Sequence, residues 1–161
     1  MISAGITRAR ISVAASVVTS VAMLAAVLMA FGHEASALPR PQDAPKASTT
    51  KDGVFSKEQA GRGQAKYMAV CSNCHQGDLS GSDQAPGLAG GDFLDRWEGQ
   101  TVGDLADRIR TSMPLDDIGS LNVQLSADIT AFLLQANNFP AGQEELKADR
   151  SLMKAVTIRR K

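Results

Sequence analysis

Cysteine is almost absent from this 161-residue chain: Cys71 and Cys74, three positions apart, are the only two. Histidine is as rare, with His33 and His75. So few thiols exclude a disulfide framework, because a Cys71–Cys74 bond would close only a tiny loop and add little stability. Basic and acidic residues balance at 17 each, so no overall positive field draws the chain to nucleic acid. Alternating strand patterns, a βαβ rhythm and internal repeats are all missing, which leaves a single small helical domain. The glycine-rich stretch "QGDLSGSDQAPGLAGG" lacks the Lys-Ser/Thr ending of a phosphate-binding loop, and a nucleotide site is rejected on that ground.

What is present begins with an export signal. Arg8 and Arg10 precede an uncharged apolar run, Ile11 to Gly32, and Ala35-Ser36-Ala37 supplies a small-x-small cleavage pattern. The alternative is an uncleaved anchor, since about 20 apolar residues also span a bilayer. Either way the rest is expected outside the cytoplasm, in the periplasm. Cleavage after Ala37 leaves 15 basic and 16 acidic residues, and His75 as the sole histidine.

The remainder divides into a flexible leader rich in Pro, Ser, Thr and Lys (38–55), a helical domain (56–142) and a polar tail (143–161) ending in "TIRRK". In the domain, Ser56 with Gln59 reads as a capping box opening a helix that runs toward Cys71, with Ala60, Gly63, Tyr67 and Val70 on one face. A short helical turn fits "DFLDRW". Thr101 with Asp104 starts a further helix, striped by Val102, Leu105, Ala106 and Ile109. The last helix starts near Asn122 and presents Leu125, Ile129, Phe132, Leu133 and Ala136. It stops at Asn137-Asn138, before Pro140. The core is thin, so a staple is expected.

"VCSNCHQGD", residues 70–78, bears on that staple. A structural zinc needs four ligands, and two cysteines with one histidine fall short unless a carboxylate such as Asp78 joins. A redox dithiol of the thioredoxin kind needs strands around it. Cys-x-x-Cys-His is instead the attachment signal for c-type haem: Cys71 and Cys74 form thioethers and His75 becomes an iron ligand. For the sixth position, Met68 lies on the helix before the attachment site and Met153 in the charged tail. Met113 is left, with Pro114 limiting its backbone freedom.

These residues resemble the class I c-type cytochromes over nearly all of 56–142. Gly63-x-x-x-Tyr67-x-x-x-Cys71 is similar to that family's first helix, where the glycine admits close crossing by the last helix, and Phe132 matches the aromatic packed at the crossing. "APGLAG" is similar to its Pro-x-Leu-x-Gly segment. The resemblance implies that the Pro86 carbonyl bonds the His75 ring, which orients the histidine, and that Leu88 packs on the haem. Met113-Pro114 matches the axial methionine pair. Trp97 has two readings, a haem-propionate partner as in relatives or ordinary core, and Arg96 and Arg110 read as surface charges. "GDFLDRWEGQTVGDLADRIRTSMP" and "DITAFLLQANNFPAG" resemble cytochromes associated with quinoprotein alcohol or sugar dehydrogenases. There Asn138 replaces a usual glycine, an exchange that Asn's tolerance of the left-handed conformation permits.

The expectation is therefore an all-α, small cytochrome c fold of three to four main helices around one covalently bound haem c, held by Cys71, Cys74, His75, Met113, Pro86, Leu88 and Trp97, with His75 and Met113 on the iron. Such a protein is an electron carrier rather than an enzyme. It would be a monomer taking electrons from a periplasmic dehydrogenase and passing them to an oxidase or another cytochrome, without nucleic acid or membrane insertion. Two other readings stand beside it: a permanently anchored haem subunit of a dehydrogenase or oxidase complex, and a gas-binding haem sensor. The domain 56–139 carries 6 basic and 11 acidic residues, against 6 and 3 in 140–161. Docking is expected through the acidic domain or through the basic tail.

Overall fold

Three polar side chains set the starts of the long helices. In the computed structural model, which describes residues 48–160, the Ser56 hydroxyl accepts from Gln59 N (3.1 Å) and opens α1, Lys57–Val70. A helical turn α2, Ser72–His75, follows directly, and α3, Gly91–Trp97, comes after the glycine-rich loop. Thr101 and Asp104 exchange both bonds of a capping box at the head of α4, Val102–Ser112. Asn122 caps α5, Val123–Ala136, by accepting from Leu125 N. A cap of this kind contributes about 1 kcal/mol. The expected signal (1–37) and residues 38–47 of the expected leader lie outside the described residues. Among the described residues, no helix is long and apolar enough to cross a membrane.

The fold is all-α, organised on the crossing of α1 and α5, the most extensive helix contact. Gly63 permits it. A Cβ built there would stand 1.9 Å from the Asp128 carbonyl oxygen and 3.0 Å from Ile129 N. The Tyr67 and Phe132 rings meet at the crossing with centroids 5.2 Å apart. Val102, Leu105, Ala106 and Ile109 of α4 bury the expected stripe against α5. Asn138 holds φ 62° just past α5, and the helix ends there.

Three expectations need correction. Gln59 does not complete a capping box with Ser56. It is fully buried, and its amide joins Asp128 Oδ1 (3.1 Å), Leu146 O (3.0 Å) and Leu146 N (2.7 Å). Nor does the tail run free. Leu146, Met153, Val156 and Ile158 are buried in the main core, α6 (Arg150–Lys154) packs on α4, and four basic side chains of the segment pair with the domain's acids. Arg150 lies 2.8 Å from Asp107, Lys154 3.5 Å from Asp104, and Arg159 3.5 Å from Glu98, while Arg160 reaches Asp95. Finally, the end of the expected leader is fixed: β1 (Ser48–Thr49) pairs in parallel with β2 (Val156–Thr157), Ser48 opposite Val156, and Thr50 and Phe55 are fully buried. The apolar residues of 143–161 are too few and too widely spaced to form a stripe, so their burial follows from long-range contact rather than from local periodicity.

Candidate functional site

The Cys71–His75 segment hangs from the C-terminus of α1. Cys71 N donates to Tyr67 O (2.8 Å), and His75 N closes the next turn on Cys71 O (3.0 Å). The chain then turns sharply, with Gln76 at φ 63° and Leu79 at φ 66°. Such conformations cost of order 1–3 kcal/mol for residues other than glycine and persist only where neighbours enforce them. Here the buried Tyr67 hydroxyl donates to Gln76 O at 2.6 Å, Gly81 N donates to His75 O (3.1 Å), and Ser82 Oγ donates to Cys74 O (2.9 Å).

The loop's glycines serve close backbone approach. Gly81 sits at φ 81°, and a Cβ there would meet Gly87 N at 2.4 Å and the Pro86 carbonyl carbon at 2.6 Å. Leu88 N also donates to Leu79 O (2.8 Å). The chain is thereby folded back so that Pro86 O lies 2.8 Å from His75 Nδ1. A carbonyl only accepts, so Nδ1 is the donor of this bond, and Nε2 is the nitrogen available to a metal when the ring is neutral. His75 itself is buried. Asn137, a residue read from the sequence only as a helix stop, secures the far end of the loop. Its side-chain oxygen accepts from Gly90 N (3.0 Å), and its amide donates to Leu88 O (3.0 Å) and Leu133 O (2.8 Å).

The two cysteines are free, Cys71 half-buried and Cys74 exposed. Burial pushes the Cys71 thiol up to about 11, against a smaller lowering by Lys66. Tyr67 is likewise pushed up to about 12, chiefly by burial, and stays a donor. Among the described residues, no three His, Cys, Asp or Glu side chains converge on a point that could hold a metal ion.

Met113 caps the C-terminus of α4 in an extended conformation (φ −132°, ψ 151°), and its side chain is half-buried. Leu88 and Trp97 are half-buried and packed on the core, with Trp97 6.4 Å from Phe93 between ring centroids. Pro86 is exposed, so its part is played by the backbone carbonyl. Met153, read as part of the charged tail, is buried in the core.

No family model and no curated protein matches the chain. Among solved structures, it is similar to the crystal structure of the sulfane dehydrogenase SoxCD from Paracoccus pantotrophus, at 27% identity and a TM-score of 0.41. The match covers 64% of this chain and 59% of that one, less than two thirds of its length. A superposition that loose carries no functional argument.

Proposed function

We propose that the chain is an electron carrier holding one haem c. The observation that carries this reading is the His75 ring, fixed by Pro86 O at 2.8 Å inside a Cys-x-x-Cys-His segment. The residues present suit the group: two free thiols on one helical turn, a buried histidine whose Nε2 is available to a metal when the ring is neutral, and a half-buried methionine thioether. Haem, when bound, supplies a reversible one-electron ferrous/ferric couple.

This chain's residues do the rest. Cys71 and Cys74 would tether the group, and exposed Cys74 would keep that attachment within reach of a redox partner. The Pro86 carbonyl holds His75 in one orientation and raises its basicity as a ligand. Met113 would supply the second iron ligand, which would leave no coordination site for a substrate or a gas, as suits an electron carrier rather than an enzyme. A methionine ligand raises the potential relative to two histidines. Phe93, Ile109 and Leu133, buried beside half-buried Leu88, keep water out. The donor would be a periplasmic dehydrogenase and the acceptor an oxidase or another cytochrome. The basic side chains of residues 150–160 are paired with Asp107, Asp104, Glu98 and Asp95 of the domain, so tail and domain would meet a partner as one combined surface.

The test is the absorption spectrum of the purified exported protein. The reduced form is expected to be low-spin and to bind carbon monoxide poorly, and the ferric form to show a sulfur-to-iron charge-transfer band that Met113→Ala abolishes. A band that persists in Met113→Ala would remove Met113 from the iron.

A further inference from the structure

Among the described residues, every buried side-chain nitrogen and oxygen has a hydrogen-bond partner except one, Arg110 Nε. The sequence marks Arg110 as a surface charge, yet its side chain is only 31% exposed. One terminal nitrogen reaches Asp107 at 3.8 Å, beyond hydrogen-bonding distance, while Nε is enclosed with nothing to donate to. A buried donor without an acceptor costs about 1–3 kcal/mol, and more when it is charged. Natural folds rarely tolerate that unless a group outside the chain supplies the acceptor.

The position says which acceptor. Arg110 lies in the last turn of α4, three residues before Met113, the extended residue that caps the helix and that the haem reading places on the iron. It also adjoins Ile109, whose side chain is buried in the core. Asp107, the carboxylate nearest to Arg110, is already bonded by Arg150 Nε (3.3 Å) and Nη2 (2.8 Å) and approached by Lys154. Those contacts all fall on Asp107 Oδ2, while Oδ1 stands 3.8 Å from a terminal nitrogen of Arg110, so among the described residues no acceptor bonds Arg110 Nε.

We infer that Arg110 is a haem-binding residue whose Nε–H donates to a propionate carboxylate of the haem. The inference rests on the haem reading above and adds a residue to it. A guanidinium there would neutralise the propionate, and an uncompensated carboxylate beside the ring would favour the ferric form. Arg110 thus holds the potential up as well as anchoring the group.

The test uses the full holoprotein and its Arg110→Gln, Arg110→Lys and Arg108→Gln variants, with three readouts: midpoint potential, the propionate bending mode in the resonance Raman spectrum, and thermal midpoint. Arg108 is exposed on the same helix and controls for the loss of one charge. Arg110→Gln is expected to lower the potential and shift the propionate mode. Arg110→Lys, which keeps the charge but lacks Nε, is expected to shift the mode with a smaller fall in potential. Arg108→Gln is expected to leave both near wild type. If Arg110→Gln and Arg110→Lys lower only the thermal midpoint, with potential and propionate mode unmoved, Arg110 is structural and the inference falls alone. Should Arg110→Gln fail to accumulate, the mode in Arg110→Lys decides. A wild-type protein without covalent haem would overturn the haem reading and this inference together.

Discussion

Replacing Gly63 by alanine tests the helix crossing on which the site hangs. The added methyl would stand 1.9 Å from Asp128 O and 2.5 Å from Asp128 C, both backbone atoms of α5. No side-chain rotation relieves such a clash; the two helices must part by about 1.5 Å to reach ordinary contact. That movement would carry Gln59 Nε2 beyond bonding distance of Asp128 Oδ1, now 3.1 Å away, and loosen the Tyr67–Phe132 packing. Overpacking costs about 1–3 kcal/mol, and a buried polar group left unpaired adds about 1–3. Against these stands a gain of roughly 0.8–1 kcal/mol from exchanging glycine for alanine in a helix. The net expectation is a loss of about 3 kcal/mol. Gly61 is the internal control, exposed on the same helix with nothing within 4 Å of its built Cβ. Gly61→Ala should gain about 0.5–1 kcal/mol. Urea unfolding of the holoproteins, followed by helical circular dichroism, measures both as shifts in midpoint. Equal stabilisation by the two substitutions would refute the crossing geometry.

Two further predictions concern the C-terminal segment and acid. Ile158→Ala should cost about 2–5 kcal/mol, the usual range for a fully buried aliphatic. Arg150→Ala, which removes an exposed ion pair to Asp107, should cost under about 1 kcal/mol; urea midpoints that do not move in Ile158→Ala would mean that the segment is solvated after all. Asp78, Asp104 and Asp149 are held below the ordinary carboxylate range, chiefly by bonds from the Ser80, Thr101 and Ser151 side chains respectively. Groups depressed in this way stabilise the fold above their unfolded value, near 3.9, and lose that contribution as pH falls through the lower folded value. Stability should therefore be flat from about pH 7 to 5 and decline below about pH 4, where the deficit of Thr101→Ala against wild type should narrow; a deficit constant down to pH 2 would deny Asp104 its part.

Much of this architecture was legible in the sequence because it is local. Ser56, Thr101 and Asn122 announce helix starts through bonds three residues long. Gly63, Tyr67 and Phe132 mark the crossing because only a residue without a side chain admits a backbone so near. Asn138 stops the last helix by accepting a positive φ. What was hidden is long-range. Gln59 fits a capping pattern, but its partners lie 69 and 87 positions away. Leu146, Met153, Val156 and Ile158 carry no periodic stripe, and a run of basic residues masked their burial. Arg110 and Asn137 have ordinary identities; only the enclosed Nε of the one and the three loop and helix bonds of the other set them apart. The His75–Pro86 contact lies between these cases, since family resemblance implied it and the glycine-rich loop, closed at Gly81 and Gly87, forms it.

Covalent attachment of haem through Cys71 and Cys74, with His75 as an iron ligand, is read from the intact mass of the protein. The chain should be exported by a host that matures c-type cytochromes, stripped of non-covalent cofactors in acidified acetone, and weighed intact beside Cys71→Ser, Cys74→Ser and the double variant. The account predicts the mass of the exported chain plus one haem for wild type, lowered haem retention in each single variant, and bare polypeptide for the double. A wild-type protein that is folded, helical and of bare polypeptide mass would contradict it.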